Sequence, residues 1–315
     1  MHLTYFGLQP SGQPPALWSP IVGLVRSLLA FASFLTLLTT PSTSLFQPLW
    51  GLGMQPVCVG VNSLNWFCLF GTEPWSKLLA CAVLVIVMSG YVPQVTAFLH
   101  YWISFSLFNG IAVPDGGDQI TAVLTLLLIP LCITDPRLNH WSPAKEVPDR
   151  SKWRRGWALA AVLGIKVQMS VLYLQSCIEK TSQTEWATGN NLYYTASGVF
   201  GFSDPVRDLL GPLLENAFGV SLLTWSVLVL EFALAITLLT PPQWRPYLFL
   251  LAALFHAGIA IFMGLWSFAI AMVAADLLLT LPLTANAFAP GVALRPFLNR
   301  QQAQGHTEQV SVGSP

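Results

Sequence analysis

The chain has 315 residues, of which 54% are apolar and only 9% charged, with a mean hydropathy of +0.61. A soluble domain carries about a quarter charged residues, so that class is excluded. Fourteen Lys and Arg balance 14 Asp and Glu, and the basic residues gather in one connector rather than a basic domain, which argues against nucleic acid as a partner.

In chain order, the first 18 residues are rich in Gly, Pro, Ser and Gln and read as a disordered segment. Apolar stretches approaching the ~20 residues that cross a bilayer follow at 20–40, 75–96, 98–113, 119–134, 157–177, 221–240, 246–264 and 266–285. They predict an all-α, polytopic integral membrane bundle of about eight transmembrane helices, with a membrane domain over 19–290 and a disordered cytoplasmic tail over 291–315. The third and fourth stretches are short and read as tilted helices or as half-helices meeting in protein interior. The first follows no basic n-region and ends at no clear small-residue cleavage site, so it reads as a retained helix rather than a signal peptide.

Charge placement sets the orientation. With a cytoplasmic N-terminus, the internal segments carry Arg137, Lys145, Arg150, Lys152, Arg154, Arg155, Arg245, Arg295 and Arg300. The external ones carry only Lys77, Lys180 and Arg207. This is the positive-inside pattern of a multi-pass protein in the cytoplasmic membrane with both termini inside. Residues 41–74 form the first external loop, whose segment Val57–Phe70 is apolar enough to lie on the membrane. Within it, Cys58 and Cys68 have two open readings, a disulfide in an oxidising compartment or a pair of buried small hydrophobes. Residues 135–156 are a basic cytoplasmic connector, and 178–220 form the largest external loop.

Ionisable residues inside apolar helices cost a few kcal/mol and mark functional interiors by default. Arg26, about seven residues into the first helix, either snorkels to the cytoplasmic interface or is paired. Lys166 lies near mid-bilayer, where Glu231 or Asp276 is the expected partner; the three read either as a structural ion pair or, as a third alternative for function, as the polar pathway of a small transporter or immunity-type protein. His256 is a lone histidine in an apolar helix, either a hydrogen-bonded core residue or a catalytic one. His100, with Tyr101 and Trp102, fits a cytoplasmic aromatic belt. The histidines show no metal-ligand spacing, and no metal is expected. Asp115-Gly116-Gly117-Asp118-Gln119 stands at the external start of the fourth helix. Asp118 reads as an N-cap there, but capping does not need paired glycines, which leaves a binding site for a peptide or a cation as the second reading. Lys180 closes the fifth helix, where a cation meets the macrodipole favourably; a neutral amine in that place is a general base or nucleophile.

Taken together, Arg26, the run His100–Gly110, Asp115–Ile120, Asp135-Pro-Arg137 with His140-Trp141, Lys180 with Trp186 and Gly189, and Phe255-His256 before Met263-Gly264 and Phe268 resemble the HTTM domain, the multi-helix membrane domain shared with vitamin K-dependent gamma-carboxylase. More narrowly, from about residue 18 to 285, the chain resembles bacterial SdpB-type proteins, which are linked to production of a secreted antimicrobial peptide. The resemblance implies Lys180 as the base acting on a reduced quinone (menaquinone or vitamin K hydroquinone), with Phe255 and His256 lining the same cavity. It also implies a secreted peptide precursor and companion proteins encoded nearby as partners. Two departures argue against glutamate carboxylation: Phe105 stands where the carboxylase carries a histidine, and the chain stops soon after the membrane domain. The leading expectation is a factor for maturation or export of a peptide toxin, with a quinone-dependent membrane enzyme as the alternative.

Overall fold

The computed structural model describes residues 17–48, 53, 55–142, 152–198 and 201–280. The expectations for 1–16 and 281–315, and the charges Lys145, Arg150, Arg295 and Arg300, lie outside the described residues. Among the described residues the chain forms α1 (Pro20–Thr39), α2 (Ser42–Leu45), α3 (Trp66–Phe70), α4 (Pro74–Ser89), α5 (Pro93–Gly110), α6 (Gly116–Ile133), α7 (Lys152–Thr181), α8 (Thr184–Ala187), α9 (Asn191–Ala196), α10 (Asp204–Leu214), α11 (Ala217–Ala235), α12 (Arg245–Met263) and α13 (Trp266–Thr280). Each of the eight apolar stretches is a helix, and the protein is an all-α membrane bundle. Five helices (α1, α6, α7, α11 and α12) are long and apolar enough to cross a bilayer, while α4 and α13 are shorter apolar helices.

The short members are therefore not the expected third and fourth, which run 18 residues each. The reason lies in one turn. Gly90 sits in the left-handed region at φ 85° and stops α4 at Ser89, seven residues before the expected end. Pro93 then starts α5 at its first turn, where a missing N–H costs nothing.

Interhelical packing in lipid relies on close approach rather than on hydrophobic drive, and α13 shows how. Its Ala269, Ala271, Ala274 and Ala275 are buried, and the helix sits against α1, α6, α7 and α12. Helix α1 contributes Val25, Leu29 and Leu37, all fully buried. Leu17 and Trp18, at the end of the leader expected to be disordered, are also in this core; the Trp18 indole donates to the Leu131 carbonyl at 3.1 Å. The outer faces stay apolar: Val167 and Val171 on α7, Val229 on α11, and Leu250 and Ile261 on α12 are exposed, as lipid contact requires.

The 41–74 loop is not simply laid on a membrane. Trp66 and Phe67 bury in a second core with α1, α4 and α5, because Asn65 donates to the Ser106 carbonyl at 2.9 Å and the Trp66 indole to the Ser76 carbonyl at 3.2 Å. Its tip, with Val59, Val61 and Leu64, and Leu69 of α3 remain exposed. Cys58 and Cys68 are joined by a disulfide across it. The large loop folds into α8, α9 and α10, with α9 against α11.

Candidate functional site

Tyr173, Ser176 and Lys180 are spaced i, i+3 and i+7 on α7 and share one face of that helix. That face meets a polar residue on each of three other helices: Glu231 of α11, His256 of α12 and Asp276 of α13. At its outer end the Lys180 ammonium is ion-paired to Glu231 and donates to Ser176 Oγ at 3.1 Å. The Ser176 hydroxyl lies 3.3 Å from both Glu231 carboxylate oxygens. Trp186 of α8 places its ring centre 5.2 Å from Lys180 Nζ, within cation–π range. The pair is half-open: the Lys180 side chain is 26% exposed and that of Glu231 only 6%.

One turn deeper, the Tyr173 hydroxyl donates to Asp276 Oδ1 at 2.6 Å. His256 Nε2 lies 3.3 Å from the same hydroxyl oxygen and 3.2 Å from Asp276 Oδ2. Because the tyrosine proton goes to Asp276, its oxygen accepts, and the imidazole proton sits on Nε2. The contact with Asp276 Oδ2 is too poorly aligned for a hydrogen bond and is electrostatic. His256 Nδ1 is buried with no partner among the described residues. An imidazole oriented through one nitrogen by a tyrosine hydroxyl, with a carboxylate alongside and the other nitrogen open, has the form of a general base. Glu231 is close enough to Tyr173 for their charges to interact, which links the two groups.

The expected partners of Lys166 are thus engaged elsewhere. Its Nζ donates to the Leu279 carbonyl at 2.8 Å, so Lys166, Glu231 and Asp276 form no direct ion-pair chain. Glu231 is drawn to Lys180 because Lys180 shares the α7 face of Tyr173 and Ser176, and Asp276 is held by Tyr173 and His256.

The Asp115–Gln119 turn has a mixed role. Asp115, not Asp118, is the N-cap of α6; its Oδ1 accepts from the Asp118 N–H at 2.9 Å, and Asp118 Oδ2 accepts from the Asp115 N–H at 3.1 Å. This reciprocal capping box accounts for both aspartates. Asp115, Gly116 and Asp118 also line a cavity of about 1080 Å³, whose wall is mostly apolar and includes Leu35, Trp266 and Phe268. Gln119 is exposed and does not line it. The paired glycines have a steric cause. A Cβ on Gly117 would stand 2.6 Å from the Phe268 Cα, against 3.2 Å from the Phe268 ring for Gly116. Gly117→Ala is therefore expected to destabilise the protein by roughly 1–3 kcal/mol, and Gly116→Ala by clearly less, measured by thermal unfolding in detergent. Phe268 in turn sets its ring 5.8 Å from that of His256, so it stands between the cavity and the buried histidine.

Arg26 and His100 lie in a separate cluster beside the segment joining α6 and α7. Arg26 does not snorkel: it is 1% exposed and donates to His140 Nδ1 at 2.9 Å and to Thr96 Oγ1 at 3.0 Å. His100 is buried rather than interfacial. Trp102 serves the 41–74 loop, donating to the Leu64 carbonyl at 2.7 Å and packing edge-on against Trp66. Gly189 packs against Ser221 of α11, while the Trp186 carbonyl accepts from the Trp225 indole at 3.2 Å. Tyr173 and Ser176 escaped sequence reasoning, although their i, i+3, i+7 spacing with Lys180 carries the signal.

Neither a protein-family model nor a solved structure matches the chain. It is 33% identical over 261 residues to the uncharacterised protein YitO of Bacillus subtilis (strain 168), an alignment spanning 81% of this chain and 83% of that protein. It is 30% identical over 275 residues to the sporulation-delaying protein SdpB of the same organism, spanning 85% of this chain and 83% of SdpB. With that identity sustained over 85% of its length, the chain belongs to the SdpB family.

Proposed function

We propose that this protein is a multi-pass component of the cytoplasmic membrane, with both termini inside, that assists maturation or export of a secreted antimicrobial peptide. The observation that carries this reading is the relationship to the sporulation-delaying protein SdpB over 85% of this chain. The partners are then the peptide precursor, membrane lipid and companion proteins, with the external cavity at Asp115 and Asp118 and the α8–α10 loop on the peptide's side.

One observation favours an enzymatic form of this role. Two polar groups, Lys180–Glu231–Ser176 and Tyr173–His256–Asp276, converge from four helices in an otherwise apolar interior. Base chemistry at Lys180 requires its ammonium to lose a proton, and Glu231 is the acceptor in contact with it. The HTTM resemblance implies a reduced quinone, but Lys180, Trp186 and His256 do not line the cavity at Asp115, and the Trp186 face is already covered by Lys180.

The test is mass spectrometry of peptides secreted by the source cell, comparing wild type, deletion and Lys180→Ala with membrane levels matched. A processed or covalently altered peptide lost in both mutants supports maturation through Lys180. Loss in the deletion alone supports assembly or export and removes the enzymatic form. An unchanged peptide profile in the deletion overturns the proposal.

A further inference from the structure

The cluster around Arg26 holds a charge that the protein does not neutralise. Arg26 is 1% exposed, and its two hydrogen bonds go to neutral acceptors, His140 Nδ1 and Thr96 Oγ1. The nearby carboxylate is engaged elsewhere. Asp135 accepts from Arg137 Nε and from an Arg137 terminal nitrogen at 2.9 and 2.7 Å, and Arg137 completes its set on the His140 and Ser142 carbonyls. That pair is self-compensating. A guanidinium does not deprotonate in proteins, so one positive charge is left inside with no carboxylate partner among the described residues. A buried unpaired charge costs several kcal/mol.

The histidines point the same way. Arginine only donates, so His140 Nδ1 accepts and its proton resides on Nε2. That Nε2–H is buried with no acceptor among the described residues. Burial, together with Arg26 and Arg137, lowers the His140 pKa to about 3, so the ring is neutral and this tautomer is fixed. His100, 2% exposed, also has a buried Nε2 without a partner, and it lies close enough to Arg26 and His140 to feel both.

We propose that Arg26, His140 and His100 form an internal anion site that takes a small oxyanion, a carboxylate, bicarbonate or phosphate group. The guanidinium N–H groups not spent on His140 and Thr96 suit an oxyanion better than a halide, because a planar fork can pair with two oxygens at once. The His140 Nε2–H supplies a further donor, and the buried His100 Nε2 is a second unpartnered polar atom beside it. The segment Thr134–Ser142 closes the site: the His140 N–H donates to the Gly90 carbonyl at 3.0 Å, the Val92 N–H to the Leu138 carbonyl at 2.8 Å, and the Trp141 indole to the Met88 carbonyl at 3.1 Å. The His140 ring seats between Gly23 and Gly90, where a Cβ would come within 2.7 and 2.6 Å of it. This site is independent of the peptide reading and stands or falls separately from it.

The test uses the full-length protein in nanodiscs of phosphatidylcholine alone and of phosphatidylcholine with phosphatidylglycerol, followed by thermal unfolding. Acetate, bicarbonate and phosphate are titrated at constant ionic strength against chloride. The expected result is a saturable rise in unfolding temperature with at least one oxyanion. His100→Phe, which keeps the ring but removes both nitrogens, should weaken its apparent affinity about tenfold, the worth of one hydrogen bond to a charged group. Arg26→Gln should abolish the rise; should that variant fail to fold, His100→Phe carries the comparison. Stabilisation by phosphatidylglycerol in place of free ions, lost in the same variants, assigns the oxyanion to a lipid phosphate and supports the site. No oxyanion-specific shift in either lipid, or a shift of equal midpoint in His100→Phe, overturns it.

Discussion

Asp276→Ala is expected to be the most damaging single change in the α7–α13 interface. The side chain is fully buried and holds both the Tyr173 hydroxyl and the His256 imidazole. Removing it leaves the Tyr173 hydroxyl without its acceptor in an apolar interior, at about 1–3 kcal/mol, takes away the carboxylate beside the His256 imidazole, and opens space between helices that approach on alanines. The total is about 3–5 kcal/mol. Tyr173→Phe removes one hydrogen bond and should cost about 1.5–3 kcal/mol. The double variant should cost less than the sum, because the two residues share one interaction. Thermal unfolding of the four proteins in detergent checks this. Additive losses would show that Tyr173 and Asp276 act separately, contrary to the 2.6 Å contact. If His256 also acts as a base, Asp276→Asn, which keeps the shape and changes the charge behind the imidazole, should abolish peptide maturation while sparing much of the stability.

The helices were legible because hydropathy is a strong, local signal: each of the eight apolar stretches is a helix, and the fold class follows from that alone. Helix ends were less so. The α4–α5 boundary depends on Gly90 and Pro93, whose turn interrupts an apolar run that hydropathy joins without a break. Pairing was the least legible. Lys166, Glu231 and Asp276 were recognisable as buried ionisable residues, but their depths along separate helices do not say which faces meet. That depends on the rotation of α11 and α13 about their axes, and the uniformly apolar lipid-facing sides leave the rotation unmarked. Tyr173 and Ser176 lay on the helical face of Lys180 and could have been drawn in by spacing. The tandem glycines at 116 and 117 looked functional because their constraint, the Phe268 ring for one and its backbone for the other, comes from a helix about 150 residues away.

Acid should destabilise this protein through His140 in a window that ordinary carboxylate titration does not fill. An unfolded histidine titrates near 6.5, whereas burial and the adjacent Arg26 and Arg137 lower the folded value to about 3. Between those values the unfolded chain binds the additional proton, so unfolding free energy rises with pH there. The neutral ring's advantage is therefore fully present above pH 6.5 and is lost progressively as pH falls toward 3. The slope attributable to this one group is at most about 1.4 kcal/mol per pH unit. A protonated ring would also place a cation against Arg26, whose hydrogen bond to Nδ1 would have to break. His140→Gln keeps an oxygen acceptor for Arg26 but removes the titration. Unfolding temperatures measured from pH 7.5 to 4.5 should fall more steeply for wild type than for His140→Gln. Parallel profiles would show that acid acts through other groups and that His140 is not held neutral by its surroundings.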